Sequence, residues 1–472
     1  MFRTVELPLW LLVLILGFAL VTFASHFLFP SVRWFFRRRA EAAVARLNKR
    51  LARPIEPFKL ARRHDTIQRL IYDPGVIEAV AERACEAGIP QEVAHQEARR
   101  YAREIVPAFS ASAYFGFGTR AARWLSRMLY RVRIGHVDEA GLAALPENAT
   151  VVFVMNHRSN MDYVLVTYLA AQRSATLSYA VGEWARVWPL SVLIRSMGAY
   201  FIRRSSRNAL YRRVLARYVQ IATAEGVTQA VFPEGGLSLD GRVGRAKLGI
   251  LSYVAGAEAP GREVWFVPVA LNYDRVIEDR FLVAAHRSGK RRFPVPVLRT
   301  LGYVLRRLWQ KLRGTFLRYG YVAVSFGAPI PLAAYRGKEA GDATAELAED
   351  LMQRIRELVP VLPVPLLARV LLRHGDMDRK ALEAAFAADV EQLRANGVYV
   401  HVPRGSIGLA VRLAQEHLVL RGVLTEDGDV TRITERDLPL LAYYAASIAH
   451  HFPDPAAGVA APAKENAAFA GS

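Results

Sequence analysis

The fold is decided by residues 150–163, which read TVVFVMNHRSNMDY. The apolar, β-branched run 150–155 is long enough for one buried strand. A helical pattern of apolar residues begins just past Ser159, a residue type that favours helix N-termini. The stretch therefore predicts a strand, a tight turn and a helix, with His157 and Asp162 on either side of the turn.

His157 and Asp162 are the candidate catalytic pair. Residues five apart on a regular helix lie about 140° from each other, so the side chains meet only if His157 lies in the turn and Asp162 in the first helical turn. The helix N-terminus stabilises an ionised carboxylate, which can hold one ring nitrogen and leave the other free to take a proton from a hydroxyl. This spacing arises by chance about one time in three in a chain with 11 histidines. The interpretation therefore depends on the motifs that follow.

The composition indicates contact with membranes and with anionic partners. The chain has 472 residues, enough for two or three structural units, and 52% of them are hydrophobic. A formal net charge of +20 favours nucleic acid, anionic lipid, phosphorylated substrates, coenzyme A thioesters or an acidic carrier protein as partners. The single cysteine, Cys85, excludes a disulfide within the chain. No metal-site or nucleotide-binding motif is evident, so we predict no metal and no cofactor.

The first 32 residues predict a transmembrane anchor. Residues 7–29 are apolar almost throughout and long enough to cross a hydrocarbon core, and a cluster of arginines follows. The positive-inside rule then predicts a single-pass protein of the cell membrane whose catalytic domain is cytoplasmic. A cleaved signal peptide fits less well, because its basic residues should come before the apolar run.

Beyond the anchor, the sequence predicts three units and a tail. Residues 33–134 and 336–452 read as helical regions, the second with a small hairpin near residues 422–431. Residues 453–472, rich in alanine, proline and glycine, are predicted to be disordered. Residues 135–335 alternate strand and helix patterns, which favours an α/β domain with a largely parallel core sheet flanked by helices. The predicted strands are 150–155, 228–232, 264–271 and 321–326, and the predicted helices include 161–171 and 208–224.

A second motif, residues 198–205, contains two adjacent arginines after a short apolar stretch. Arg203 and Arg204 either fork onto a phosphate or form an ordinary basic pair at the surface.

The third motif, residues 231–238, is a glycine-rich turn after a strand. Its glycines, Gly235 and Gly236, let backbone amides approach a ligand, and we expect Glu234 to face the entrance of a pocket. A plain turn with a capping glutamate is the alternative. The fourth motif, residues 267–274, reads as a buried strand with a polar end.

Together, the four motifs resemble the glycerolipid acyltransferase superfamily, and within it the glycerol-3-phosphate and dihydroxyacetone-phosphate acyltransferases. The resemblance covers about residues 150–280, and residues 157–163 fit the H-R-S-x-x-D-Y form of the glycerol-3-phosphate branch. It implies that His157 is the general base and Asp162 its orienting partner. It places Arg203, with Arg204, on the acceptor phosphate. The further substrate-binding residues are Arg158, Ser159, Glu234, Gly235, Gly236 and Pro268, of which we read Ser159 as a helix cap and not as a nucleophile.

The chain departs from the resemblance at Leu237 and Leu239. The glycerol-3-phosphate branch reads E-G-x-R-S-R there, so two phosphate-binding arginines are missing. Arg242, which we include among the substrate-binding residues, is one candidate to replace them, together with Arg245 and Lys247. Otherwise the acceptor differs from glycerol 3-phosphate.

The expected function is transfer of a fatty acyl group from acyl-CoA or acyl carrier protein to glycerol 3-phosphate, giving lysophosphatidate in the first step of phospholipid synthesis. Lysophosphatidate and dihydroxyacetone phosphate are alternative acceptors. A different class of function is a non-catalytic membrane protein that binds anionic lipid. Residues 280–318 contain no acidic residue and read as a basic amphipathic helix on lipid. Because no nucleic-acid reader fold is recognisable, we predict membrane lipid and not nucleic acid as a partner.

Overall fold

A computed structural model describes residues 55–60, 63–172, 176–182, 186, 190–203, 206, 208–289, 318–335 and 340–452, together with Pro8. The described residues from 56 onward belong to one compact unit. The predicted anchor, most of the basic stretch 280–318, the tail 453–472 and Arg204 lie outside the described residues. Within the described ranges, no helix combines the length and the apolarity needed to cross a bilayer.

The core of this unit is a mixed sheet in which most neighbouring strands run parallel. Its described strands are β1 (Arg131–Val137), β2 (Thr150–Met155), β3 (Ser178–Gly182), β4 (Tyr200–Ile202), β5 (Gln229–Val231), β6 (Val264–Tyr273), β7 (Tyr321–Phe326) and β8 (Ile330–Pro331). Their order across the sheet is β1-β7-β6-β2-β5-β3-β4, and β8 pairs with β6. Strand β2 pairs in parallel with β5 and β6, whereas β7 runs antiparallel to β6. The predicted α/β class with a largely parallel sheet is therefore confirmed.

Strand β2 lies in the middle of the sheet, with the bounds that its apolar run predicts. Val151 and Met155 join one buried cluster, and Val152 and Val154 join the cluster on the opposite face. This is the alternation of a strand that is covered on both sides. This explains why residues 151–155 are apolar at consecutive positions and do not alternate with polar residues.

Strand β1 is an element that the sequence analysis missed. It begins at Arg131, inside the region predicted to be helical up to residue 134. It is an edge strand whose arginines, Arg131 and Arg133, are exposed. Charged residues on an edge strand prevent pairing with other chains, but they hide the apolar pattern by which a strand is recognised.

Helices cover both faces of the sheet. Before β1 come α1 (Pro57–Leu60), α2 (Arg63–Ile71), α3 (Pro74–Ala87), α4 (Gln91–Ile105), a π-helical segment (Ser112–Gly118) and α5 (Thr119–Leu129). Between the strands lie α6 (Glu139–Ala143), α7 (Met161–Gln172), α8 (Leu190–Ser196), α9 (Ala209–Ala224), α10 (Leu248–Ala255) and α11 (Asp279–Ser288). One buried cluster contains residues of α7 and C-terminal residues from 361 onward, and the other contains residues of α2, α3, α4 and α9 together with residues between 347 and 359.

The C-terminal helices share the core of the α/β part. They are α12 (Ala340–Leu358), α13 (Pro363–His374), α14 (Arg379–Ala395), α15 (Ile407–Val419) and α16 (Leu438–Ala446), with a small sheet of β9 (Met377–Asp378), β10 (Leu424–Asp427) and β11 (Val430–Ile433). β10 and β11 form the hairpin predicted near residues 422–431. Asp274, just after β6, accepts hydrogen bonds from the backbone N–H groups of Tyr321 (2.8 Å) and Val364 (2.9 Å). This carboxyl therefore joins β7 and α13 to the end of β6. Burial raises its pKa to about 7.

Candidate active site

Residues 156–162 form the turn that carries the candidate catalytic pair, which we call the catalytic turn. It begins where the side chain of Asn156 replaces the backbone of β2. Its amide nitrogen donates to the Leu271 carbonyl (3.0 Å), and its amide oxygen accepts from the Leu271 N–H (2.8 Å). The β2–β6 ladder is thereby satisfied one step beyond Met155, while the main chain turns away from the sheet. His157 follows Asn156 in the turn.

The carboxylate of Asp162 binds the turn from the start of α7. Its Oδ2 accepts from His157 Nδ1 (2.9 Å) and from the backbone N–H groups of Arg158 (2.7 Å) and Ser159 (3.0 Å). Its Oδ1 accepts from the hydroxyl of Tyr273, at the end of β6. An ionised carboxylate is acceptor-only, so His157 carries its proton on Nδ1 and has a lone pair on Nε2.

The Nε2 atom of His157 faces an aromatic enclosure. The Tyr163 hydroxyl lies 3.4 Å from Nε2 and 3.4 Å from the Ala180 carbonyl oxygen on β3. The Phe232 ring lies 4.3 Å from the imidazole, centroid to centroid, and His157 is only 1% exposed. A hydroxyl that reaches Nε2 therefore meets a base in surroundings from which water is largely excluded.

The N-terminus of α7 is capped by Ser159 and Glu278. The Ser159 hydroxyl accepts from the Met161 N–H (3.1 Å) and donates to Glu278 Oε2 (2.8 Å). Glu278 Oε1 also accepts from the backbone and the side-chain amide of Asn160 (3.2 and 2.9 Å). Burial raises the pKa of Glu278. With its proton and a lone pair occupied in this way, Ser159 is a cap in the structure, as the sequence indicated.

We had expected Glu234 to face the entrance of a pocket, but its carboxylate instead binds the backbone of the turn. Its Oε1 accepts from the backbone N–H of His157 (2.9 Å) and its Oε2 from that of Gly244 (3.1 Å). Burial raises its pKa to about 7, although these two hydrogen bonds oppose the shift. The N–H of Gly235 donates to the Phe232 carbonyl (3.0 Å), so it is not a free donor for an oxyanion. Gly236 is half-buried in the same turn.

Arg158 lies on the interior side of the turn, which contradicts the expectation that it contacts substrate. It is 1% exposed, its Nη1 donates to the Gly241 carbonyl, and its guanidinium lies 4.9 Å from the centroid of the Tyr443 ring. Its Nε and Nη2 have no hydrogen-bond partner among the described residues. Gly241 is required at this contact, because its φ is +91° and a Cβ there would lie 1.9 Å from the Tyr443 carbonyl oxygen.

Arg203 lies at the same edge of the sheet as His157, but at a distance along that edge. Its strand, β4, is three strands from β2, or about 14 Å. Its Nε and Nη2 form a bidentate pair with Glu104 (2.8 and 2.6 Å), and Arg186 binds the same carboxylate. Burial opposes the ionisation of Glu104, but the two arginines outweigh it and lower its pKa. The cluster of Arg203, Arg186 and Glu104 therefore keeps one net positive charge.

The remaining predicted residues lie in different surroundings. Leu237 and Leu239 are half-buried and pack against the core, so they contribute no charge. The exposed cations nearby are Arg242, Arg245 and Lys247. Pro268 pairs with Val154 in the interior of the sheet and has no open face toward the turn.

Sequence reasoning missed Asn156, Tyr273, Glu278 and Glu104. Asn156 and Tyr273 stood inside quoted motifs, but their roles depend on which strand is the neighbour of β2. Glu104 comes from the region 33–134, which the sequence predicted to be helical, and Glu278 lies between the fourth motif and the basic stretch 280–318. No signal in the sequence connects them with the turn.

Comparisons with known proteins match both halves of the described unit. Residues 136–272 match the acyltransferase family model, and residues 305–469 match the model of the glycerol-3-phosphate acyltransferase C-terminal region. The chain is 28% identical to a glycerol-3-phosphate acyltransferase of Ectopseudomonas mendocina (strain ymp), with 84% of this chain and 50% of that protein aligned. It is 27% identical to that of Pseudomonas fluorescens (strain Pf0-1), with 84% and 49% aligned. The chain thus spans about half the length of these curated relatives.

A crystal structure of the 1-acyl-sn-glycerophosphate acyltransferase PlsC from Thermotoga maritima aligns with a TM-score of 0.31 and 22% identity, over 52% of this chain and 78% of that one. The two family models are adjacent along the chain and together enclose the catalytic turn and the C-terminal helices that cover it. The chain is therefore similar to the acyltransferase family over residues 136–272 and to the glycerol-3-phosphate acyltransferase C-terminal region over residues 305–469.

Proposed function

We propose that this protein transfers a fatty acyl group from a thioester to the first hydroxyl of glycerol 3-phosphate, giving lysophosphatidate. The observation that carries the proposal is the contact between His157 Nδ1 and Asp162 Oδ2, at 2.9 Å, at the end of a central strand. It leaves Nε2 as a base whose orientation is fixed by a carboxylate with four donors.

In the proposed reaction, His157 Nε2 takes the proton of the acceptor hydroxyl as its oxygen attacks the thioester carbonyl. The C–S bond of the resulting tetrahedral adduct breaks, and the imidazolium returns the proton to the leaving thiolate. Asp162 stabilises the imidazolium between these two transfers, in the same way as the aspartate of a serine hydrolase triad. No covalent acyl-enzyme is required.

The acceptor phosphate is proposed to bind Arg203. Glu104 occupies Nε and Nη2, so Nη1 is the nitrogen that remains for a phosphate oxygen. An extended arginine side chain and a three-carbon phosphate ester together span a separation of about three strands. Arg204 and the exposed Arg242 are further candidates for the same phosphate.

We further propose that the donor is acyl-CoA or acyl carrier protein, without another cofactor, and that the protein is a single-pass protein of the cell membrane with a cytoplasmic catalytic domain. The support is the apolar run 7–29 with arginines after it, and the net charge of +20, which suits an anionic lipid surface.

The test is an acyl-transfer assay with labelled palmitoyl thioester and three acceptors in turn: glycerol 3-phosphate, dihydroxyacetone phosphate and lysophosphatidate. The proposal expects the highest kcat/KM with glycerol 3-phosphate, and equal or greater turnover on lysophosphatidate would overturn it. His157→Ala should lose transfer by at least about 100-fold, the usual lower range for a general base. His374→Ala, at an exposed position at the end of α13, is the matched control. Unchanged transfer in His157→Ala would refute the assignment of His157 as the general base, whereas a wild-type protein that transfers to none of the three acceptors would favour the non-catalytic lipid-binding alternative.

A further inference from the structure

A cavity of about 650 Å³ opens at the edge of the sheet where β1 and β7 begin. Five arginines line it, and none of its lining residues is acidic: Arg127, Arg131, Arg133, Arg318 and Arg404. A second cavity of about 340 Å³ shares Arg131, Arg318 and Tyr321 with it. We call the first one the arginine cavity.

None of the five arginines of the cavity forms an ion pair with a carboxylate among the described residues, although the charge of Arg131 acts on the buried Asp274 carboxyl. Arg127 Nε donates to the Tyr168 hydroxyl (3.1 Å), and Arg131 Nη1 to the Tyr321 hydroxyl (3.1 Å). Arg131 and Arg133 each lie 5.5 Å from the centroid of the Tyr321 ring. By contrast, Arg203, Arg217, Arg369 and Arg421 each contact a carboxylate. Neutral partners thus hold the cavity arginines in place while their positive potential stays available for an anion.

The two histidines beside these arginines, His401 and His417, add no charge of their own near pH 7. Burial, with the charge of Arg133, lowers the pKa of His401 to about 4. Burial, with the charges of Arg275 and Arg131, lowers that of His417 to about 4. Both imidazoles are therefore neutral near pH 7, and the positive charge belongs to the guanidinium groups.

Arg404 reaches the cavity from an unfavourable backbone conformation. Its φ is +54°, the one positive value among non-glycine residues in the described part of the chain. A non-glycine residue rarely adopts this region, and such outliers gather at binding sites. The loop between α14 and α15 keeps an arginine where glycine would be unstrained.

The arginine cavity lies at the same sheet edge as the catalytic turn. Because β7 is antiparallel to β6, the start of β7 meets the end of β6, where Tyr273 pairs with Val322. The Tyr130 ring, which lines the cavity, lies 5.4 Å from the Tyr273 ring, and the Tyr273 hydroxyl donates to Asp162. The strand order places β1 and β4 each three strands from β2. His157 therefore lies between the arginine cavity on one side and Arg203 on the other.

We propose that the arginine cavity binds the phosphates of the coenzyme A part of the acyl donor. This inference rests on the proposed function, since it names the donor that the reaction uses. Guanidinium groups bind phosphates through paired hydrogen bonds, and a cavity of this volume holds a nucleotide-sized ligand. The pantetheine arm then extends along the sheet edge to carry its thioester to His157.

The experiment measures binding of coenzyme A to the full chain by titration calorimetry, with Arg131→Gln/Arg133→Gln as the test variant. Arg212→Gln/Arg213→Gln removes the same charge from the exposed side of α9 and is the matched control. We expect the Kd of coenzyme A to rise at least about tenfold in the test variant alone, since each lost charge-assisted hydrogen bond corresponds to roughly a factor of ten. Binding of pantetheine, which has no phosphate, should be equal in all three proteins.

Arg404→Gly separates binding from folding. It removes a cavity arginine and also relieves the unfavourable φ, so the melting temperature should rise while coenzyme A binds more weakly. Vesicles of phosphatidylglycerol distinguish the other source of phosphate. If the test variant loses vesicle binding and keeps the affinity for coenzyme A, the cavity binds lipid headgroups and the proposal is overturned.

The outcomes also separate this inference from the proposed function. Calorimetry needs no turnover, so it is repeated on His157→Ala, where coenzyme A should bind as in the wild type. Binding that depends on Arg131 and Arg133, without acyl transfer to any acceptor, would defeat the function and keep the cavity. Transfer from palmitoyl-CoA with an unchanged KM in the test variant would defeat the cavity and keep the function.

Discussion

Replacing Asp162 by Asn tests the charge of the catalytic pair without breaking its geometry. The three donors on Oδ2 are His157 Nδ1 and two backbone N–H groups, so this position requires an oxygen. The Asn side-chain oxygen therefore takes the place of Oδ2, and its NH₂ group takes that of Oδ1, where the Tyr273 oxygen can accept a hydrogen bond. The tautomer of His157 is kept, and only the negative charge is lost.

The size of the effect follows from distance and burial. The Asp162 and His157 side chains are 0% and 1% exposed, with 2.9 Å between Nδ1 and Oδ2, so solvent screens the pair little. Unit charges about 4 Å apart in an effective dielectric of ~20 interact by roughly 4 kcal/mol. A neutral hydrogen bond of about 1 kcal/mol remains in the variant. At about 1.4 kcal/mol per tenfold, kcat/KM should fall roughly 100- to 1000-fold.

The assay is kcat/KM with glycerol 3-phosphate, together with a thermal melt. Asp65→Asn, at an exposed position on α2, is the matched control. A folded Asp162→Asn protein within threefold of wild-type activity would refute the reasoning, because no imidazolium would then form in the transition state.

Three further changes probe the support of the turn. Tyr273→Phe leaves Oδ1 of Asp162 without its donor and should cost about 1–3 kcal/mol of unfolding free energy, measured by chemical denaturation, while kcat falls less than tenfold. An unchanged stability would mean that this hydroxyl is not bound to the carboxylate. Burial raises the pKa of Glu234 to about 7 from 4.5, so between these pH values the folded protein holds a proton that the unfolded chain has released, and this contribution to stability is lost as pH rises through the window. In Glu234→Gln the fall of the unfolding free energy between pH 4.5 and 7 should be shallower, and an identical slope would contradict the assignment. Gly241→Ala should destabilise by roughly 3 kcal/mol or more, because φ is +91° and the new Cβ meets a carbonyl oxygen at 1.9 Å, whereas Gly249→Ala, at an open position in α10, should be neutral or stabilising in the same melt.

The parts of the fold that could be predicted are those whose apolar pattern is set by burial. Residues 151–155 are apolar at every position because β2 is covered on both faces, and the bounds predicted for the strand, 150–155, agree with the structure. Strand β1 has arginines at alternate positions on an exposed edge, and its first residues fell within the region 33–134 that the sequence predicted to be helical. Strands β3 and β4, with five and three residues, are too short to show a period.

The parts of the site that could be predicted are local in sequence. His157 and Asp162 are five residues apart, so the strand-to-helix turn alone brings them together. Arg158 shows where this reasoning fails: it adjoins His157, yet the chain reverses direction in the turn and its side chain lies in the interior. Glu104 binds Arg203 from 99 residues away, and Glu278 binds Ser159 from 119 residues away. Contacts of this kind are set by the packing of whole elements, which no spacing in the sequence reveals.

The position of Tyr443 above Arg158 has a consequence for biosynthesis. Tyr443 lies on α16, close to the end of the described chain, so the ribosome releases it after all the strands of the main sheet. Until α16 is in place, the guanidinium of Arg158 lacks its contact with the Tyr443 ring, and the loop at Gly241 lacks its contact with the Tyr443 backbone. Nascent chains that have not yet added α16 would therefore carry both residues of the candidate catalytic pair without this packing, and we expect them to be inert until the helix is in place.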